Sequence, residues 1–176
     1  HRDIVVRLLD AGARADTADR RGITPLIGAA FAGCKGCVGA LLAAGASVAP
    51  ADATGKSAIT YAAAGGHTAV VDALLEAGAV ADRRDGHDGT PLMWAAGYGH
   101  ADVVERLVAA GADPDLRDDR GRTALMAGAV GGHDGVIATL RRAGARTDVT
   151  DNEGNTAAAL ATANGQAAAA RALAGE

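Results

Sequence analysis

Two cysteines three residues apart, in Cys34-Lys35-Gly36-Cys37, are the groups of this 176-residue chain best suited to chemistry. Thiols in a Cys-x-x-Cys arrangement at the start of a helix have a lowered pKa and can cycle between dithiol and disulfide. A second pattern is the column His1, His67, His100 and His133, spaced by thirty-three residues or twice that. As a ladder of metal ligands it fails on distance. Neighbouring stacked helices lie about 8–10 Å apart, whereas one ion must sit about 2 Å from each ligand. The acidic runs at Asp82, Asp85 and Asp88 and at Asp115, Asp118 and Asp119 lack the ligand order and closing glutamate of a calcium loop. Nucleophile elbows, phosphate-cradling loops and zinc-protease helices are also missing, so no catalytic residue, metal or cofactor is assigned. Nothing pairs an acid with a base, and the chain does not read as an enzyme.

The elements that would position these residues come from an internal repeat. Asp19, Asp52, Asp85, Asp118 and Asp151 are equally spaced, as are Thr24, Ser57, Thr90, Thr123 and Thr156, and Gly12, Gly45, Gly78, Gly111 and Gly144. The period is thirty-three residues. In each unit an Asp opens a turn and a glycine three later, as in Gly22, Gly55, Gly121 and Gly154, supplies a positive φ. Asp88 stands at that place in the central unit, which predicts a different turn there. Thr or Ser then caps a short helix, with Pro25 and Pro91 at its first position. A second helix buries Val38, Val71, Val104 and Ile137 together with Leu41, Leu74, Leu107 and Leu140, and stops at a Gly-Ala pair. By this register Cys34 shares the helix-start position of His67 and His100, and Cys37 points into the core beside Val70 and Val103. Both then fill structural positions; the alternative is a redox-responsive regulatory domain.

Thr24-Pro25-Leu26 with Ala29-Ala30, and Thr90-Pro91-Leu92 with Ala95-Ala96-Gly97-Tyr98-Gly99-His100, resemble the ankyrin repeat family. The resemblance covers essentially the whole chain. It implies an all-α solenoid of stacked helix-turn-helix units with hairpin-like finger loops. Residues 1–176 then form a single domain: a partial repeat at 1–18, full repeats at 19–51, 52–84, 85–117 and 118–150, and an alanine-rich repeat at 151–176. The unit at 1–18 is the second helix of a repeat whose first helix is missing, as in a piece of something longer, and Ile4 and Leu8 are expected to keep an uncovered flank. Alanine buries little area, so the last repeat is expected to dock weakly and fray first. The family's signature imidazole is replaced by Ile27, Thr60, Met93, Met126 and Ala159, so its hydroxyl-to-histidine bond is lost.

The resemblance also implies where a partner binds: the finger tips and the exposed edge of the first helix. In the first full repeat these are Arg20, Arg21, Ile23 and Phe31, and in the second Thr54 and Lys56. In the third they are His87 and Tyr98, and in the fourth Asp119, Arg120 and Arg122, joined by Arg84 and Arg117 just before two loops. Arginine and tyrosine are over-represented among residues that dominate binding. The expected function is a protein-protein interaction scaffold without catalysis. Its partner is another protein, or another domain of a longer chain, with an acidic surface facing these arginines. Trp94, one helical turn before Tyr98, is expected in the stacking core, with a partly exposed edge as the alternative.

Composition agrees with this class. Nearly half the residues are apolar, at 49%, yet only one Trp, one Phe and two Tyr occur, as suits closely stacked helices. The net charge of −4 disfavours a generally basic nucleic-acid binder, and no run reaches the length of a membrane span. Two cysteines make no disulfide framework, so a reducing, cytoplasmic setting is expected. Arginine outnumbers lysine fifteen to two, a bias associated with GC-rich bacterial genomes.

Overall fold

The structure, a computed structural model, describes residues 2–174. His1, the first member of the histidine column, lies outside the described residues, as does the extreme end of the last repeat. The described residues form eleven α-helices: α1 Arg2–Asp10, α2 Pro25–Phe31, α3 Lys35–Ala43, α4 Ala58–Ala64, α5 Thr68–Glu76, α6 Pro91–Gly97, α7 Ala101–Ala109, α8 Ala124–Gly131, α9 Asp134–Arg142, α10 Ala157–Ala163 and α11 Ala167–Ala174. They are short because their stop signals recur. The chain turns left-handed at Gly33 after α2 and at Gly45 after α3, with φ of 64° and 84°. At the second of these the Ala46 amide donates to the Leu41 carbonyl at 2.9 Å, closing the helix end.

Helices α2, α4, α6, α8 and α10 stack in one row, and α1, α3, α5, α7, α9 and α11 in a second. The core between the rows is one continuous cluster running from Leu26 to Leu173, with Leu74, Leu92, Leu107 and Leu140 fully covered. This is the all-α solenoid that the repeat implied. At one end, α1 has no buried residue, and Ile4 and Leu8 are 61% and 56% exposed. At the other, α11 buries only Ala169 and Leu173.

Three expectations are corrected. Asp88 takes φ 60°, the one positive φ at a non-glycine among the described residues, and its amide donates to the Asp85 carbonyl at 3.1 Å. Gly22, Gly55, Gly121 and Gly154 make the equivalent bond at φ of 79°, 80°, 75° and 84°, so the central finger keeps its neighbours' turn. An Asp tolerates the left-handed region better than most residues, and the loop bonds hold it there. Trp94 lies outside the buried core, partly buried with an exposed edge, because its indole N–H donates to Asp85 at the loop. Cys34 and Cys37 are joined as a disulfide, their Cα atoms 5.2 Å apart, rather than standing as two thiols. Their positions are nevertheless those of the register: Cys34 caps α3 and Cys37 is 4% exposed.

Candidate functional site

The finger loops are built by their aspartates. Asp52 Oδ1 accepts from the amides of Thr54 and Lys56 at 2.8 and 3.0 Å, and Asp85 Oδ1 from those of His87 and Gly89, both at 2.9 Å. Each carboxylate thus ties down its own turn. Consecutive tips are then joined through the backbone: Ala53 N to Arg21 O, Gly86 N to Thr54 O, Asp119 N to His87 O and Asn152 N to Arg120 O, at 2.8–3.0 Å. At the far end of each unit, Asp16, Asp82 and Asp115 accept from the amides of Ser47, Asp113 and Arg146. The acidic runs therefore bridge repeats.

The histidines do the same. Nε2 of His67, His100 and His133 lies 3.1, 3.0 and 3.1 Å from the carbonyl oxygens of Phe31, Ala64 and Gly97. A carbonyl only accepts, so Nε2 carries the proton. Each histidine caps a second helix while holding the end of the preceding repeat's first helix.

Between the fingers and the first-helix row runs a groove holding the chain's four aromatics. The rings of Phe31 and Tyr61 meet edge to face at 5.8 Å, and those of Trp94 and Tyr98 stack at 6.1 Å. Phe31 and Tyr98 are 67% and 58% exposed, a large cost in wetted apolar surface unless something covers it. Tyr61 donates its hydroxyl to Asp52 Oδ2 at 2.6 Å, and Trp94 its indole N–H to Asp85 Oδ2 at 2.8 Å. Burial works against the charged form of Asp52, but the Tyr61 hydroxyl, Thr54 and the loop amides outweigh it and hold the carboxyl below its ordinary value. The same bond, aided by burial, raises Tyr61 above its own. Cavities open along the groove. One, of about 440 Å³, lies between Phe31, Lys56, Tyr61 and Trp94. Another, of about 370 Å³, lies beyond Trp94 and Tyr98 over Met93, Met126 and Ala127.

The basic residues are not equivalent. Arg84 Nη1 donates to the Arg117 carbonyl at 3.0 Å and lies 3.3 Å from the Asp88 carbonyl. One repeat on, Arg117 donates to the carbonyls of Gly121 and Thr150 at 3.1 and 2.8 Å. Both are staples between adjacent fingers. Lys56 places Nζ 4.5 Å from the centre of the Trp94 ring, a cation–π contact. Arg21 faces its own Asp19 at 3.6 Å, and His87 Nδ1 lies 3.0 Å from Asp119 Oδ2. Arg122 Nε is buried without a hydrogen-bond partner, 3.9 Å from Asp151 Oδ2. Arg20 and Arg120 are exposed, with no ion pair to another described residue. Ile23 is half-buried and lines a cavity with Arg21 and Phe31, and Thr54 donates its hydroxyl to Asp52 at 2.8 Å. Register reasoning missed Tyr61 as a groove residue. Its signal was there: Tyr61 and Trp94 are thirty-three residues apart, each nine after a loop aspartate.

Residues 1–85, 26–118 and 92–176 each match the family model described as ankyrin repeats in three copies. No curated protein matches the chain. Among the described residues, no helix is long and apolar enough to cross a membrane.

Proposed function

The chain belongs to the ankyrin repeat family, whose repeats are generally protein-protein interaction modules, and from that premise we propose that it is a scaffold that binds a partner protein through the groove and finger tips and catalyses no reaction itself. The partner is a separate protein or another domain of a longer chain, with an acidic surface. The observation that carries this reading is the exposure of Phe31 and Tyr98 on the groove face of a protein whose other large side chains are mostly covered. Such rings serve as anchors, because aromatic side chains bury much area at little cost in conformational freedom. Arg20 and Arg120, exposed at the tips with no ion pair to another described residue, supply the charge that steers an acidic segment towards them.

The test is affinity capture with the parent chain beside two variants, Phe31→Ala/Tyr98→Ala and Arg20→Glu/Arg120→Glu, at low and high salt. A protein retained by the parent, lost by the aromatic variant and weakened by both salt and the charge variant supports the reading. Identical capture by all three chains ends it. The disulfide between Cys34 and Cys37 lies at the start of α3, on the row of helices away from the aromatics. The redox-responsive alternative has no observation in its favour beyond that bond.

A further inference from the structure

The loop aspartates of three successive repeats, Asp52, Asp85 and Asp118, divide their oxygens in the same way. Oδ1 accepts two amides of its own turn, for Asp118 those of Arg120 and Arg122 at 2.9 and 2.8 Å. Oδ2 is left for the first helix. There Tyr61 and Trp94 supply ring-edge donors at 2.6 and 2.8 Å. The third member of the series is Ala127, and no described residue donates to Asp118 Oδ2.

The space is open as well as unfilled. Lys56 covers the Trp94 ring from the preceding finger, but the corresponding cover over Ala127 would come from position 89, which is glycine. Both the ring and its lid are absent, and the cavity of about 370 Å³ stands in their place, with Asp118 in its lining. At the two ends of the series the carboxylate is occupied in other ways. Asp19 Oδ2 faces Arg21 at 3.6 Å, and Asp151 Oδ2 lies 3.4 Å from the Asn155 side-chain nitrogen. Of the five, Asp118 is the one whose Oδ2 has neither a donor nor a cation within reach among the described residues.

We propose that this cavity is a receptacle for a tryptophan side chain of the partner protein, its indole N–H donating to Asp118 Oδ2; the partner rests on the interaction reading above. The fit is chemical. Met93, Met126 and Val130 offer apolar and thioether contacts to a flat ring, and Trp94 with Tyr98 forms an aromatic wall beside it. His87 and Arg122 also line the cavity, so its rim is polar, while Met93, Met126, Ala127 and Val130 make its floor apolar; a flat ring with one donor at its edge meets that floor and Asp118 together. Phenylalanine and leucine lack the donor, and a lysine ammonium would meet the Arg122 guanidinium in the same lining. The incoming indole would repeat, in the fourth unit, what Trp94 does in the third.

The test uses N-acetyltryptophanamide as the probe, titrated into the nitrogen-15-labelled chain while backbone amide shifts are followed. It needs no partner, so its outcome is separate from that of the capture experiment. Expected are saturable shifts centred on Asp118, Ala127 and Val130, with affinity reduced about five-fold for the 1-methylindole analogue, which lacks the donor. Asp118→Asn is expected to weaken the natural probe by a similar factor. Because that change could disturb the loop, Ala127→Trp serves as a second variant. It fills the receptacle from within, and should abolish the shifts while leaving the rest of the spectrum in place. Absence of saturable shifts, shifts centred elsewhere, equal binding of the methylated analogue, or undiminished binding by Ala127→Trp would each overturn the proposal. So would tighter binding of N-acetylphenylalaninamide or an arginine amide.

Discussion

His100 Nε2 donates to the Ala64 carbonyl oxygen across 3.0 Å of space and thirty-six residues of sequence. The ring also lies against Gly66, where any Cβ would come within 2.6 Å of Nδ1. One imidazole therefore stands at the start of one repeat's second helix and holds the end of the preceding repeat's first helix. His100→Ala should cost about 1–3 kcal/mol in urea unfolding, since the Ala64 carbonyl loses its donor and the ring contact goes with it. A loss below about 0.5 kcal/mol would mean that water replaces the imidazole freely.

Asp88→Gly should stabilise the protein. The native φ of 60° costs an L residue about 1–2 kcal/mol relative to glycine, less for Asp, and glycine's larger unfolded-state entropy takes back part of that. The exposed Arg84–Asp88 pair at 3.6 Å offsets little. A net gain of about 0.5 kcal/mol in chemical denaturation is expected. A net loss would show that the Asp88 side chain matters more to the loop than its backbone strain.

The Tyr61–Asp52 bond sets a pH window. Asp52 is held below its ordinary 3.8, so its contribution is present above that pH and is lost as pH falls through the lowered folded value. Tyr61 is raised above 10.0, so its contribution is present below that pH and is lost as pH rises through the raised value. Tyr61→Phe should therefore lower stability across the neutral range, and the difference from the parent should shrink in acid and in strong base. Melting temperatures of the two chains from pH 3 to 11 would show it, and a pH-independent gap would mean that only packing was lost.

Arg84 and Arg120 separate two roles that sequence treats alike. Arg84→Ala removes the staple to the Arg117 carbonyl and should lower stability by about 1 kcal/mol. Arg120→Ala, exposed and without an ion pair to a described residue, should leave stability within about 0.5 kcal/mol. Equal effects would undo the distinction between inter-finger staples and tips available to a partner.

That distinction shows how far sequence could be read. The thirty-three-residue period, the helix caps and the buried Val and Leu columns were legible, because each rests on residue type at a fixed register. The reach of a side chain was not. Arg84 and Arg117 align with the rest of the binding positions, but a guanidinium is long enough to turn towards the next finger's carbonyls, and the local pattern gives no direction. The place of Trp94 one turn before Tyr98 points to the stacking core, yet its N–H requires an acceptor, and Asp85 supplies one at the loop. The open slot at Asp118 is a difference between repeats, visible only once Tyr61 and Trp94 are known to fill it.

Every inter-repeat hydrogen bond described above, from the finger amides to the histidines and arginine staples, joins residues no more than thirty-six positions apart. Bringing such partners together closes only short loops, and the entropy of doing so does not grow with the length of the chain. Folding can therefore begin at whichever pair of repeats meets first and spread in both directions. A whole thirty-three-residue unit inserted or removed at a loop aspartate would change the span of the groove without changing the kind of bond that any repeat makes with its neighbour.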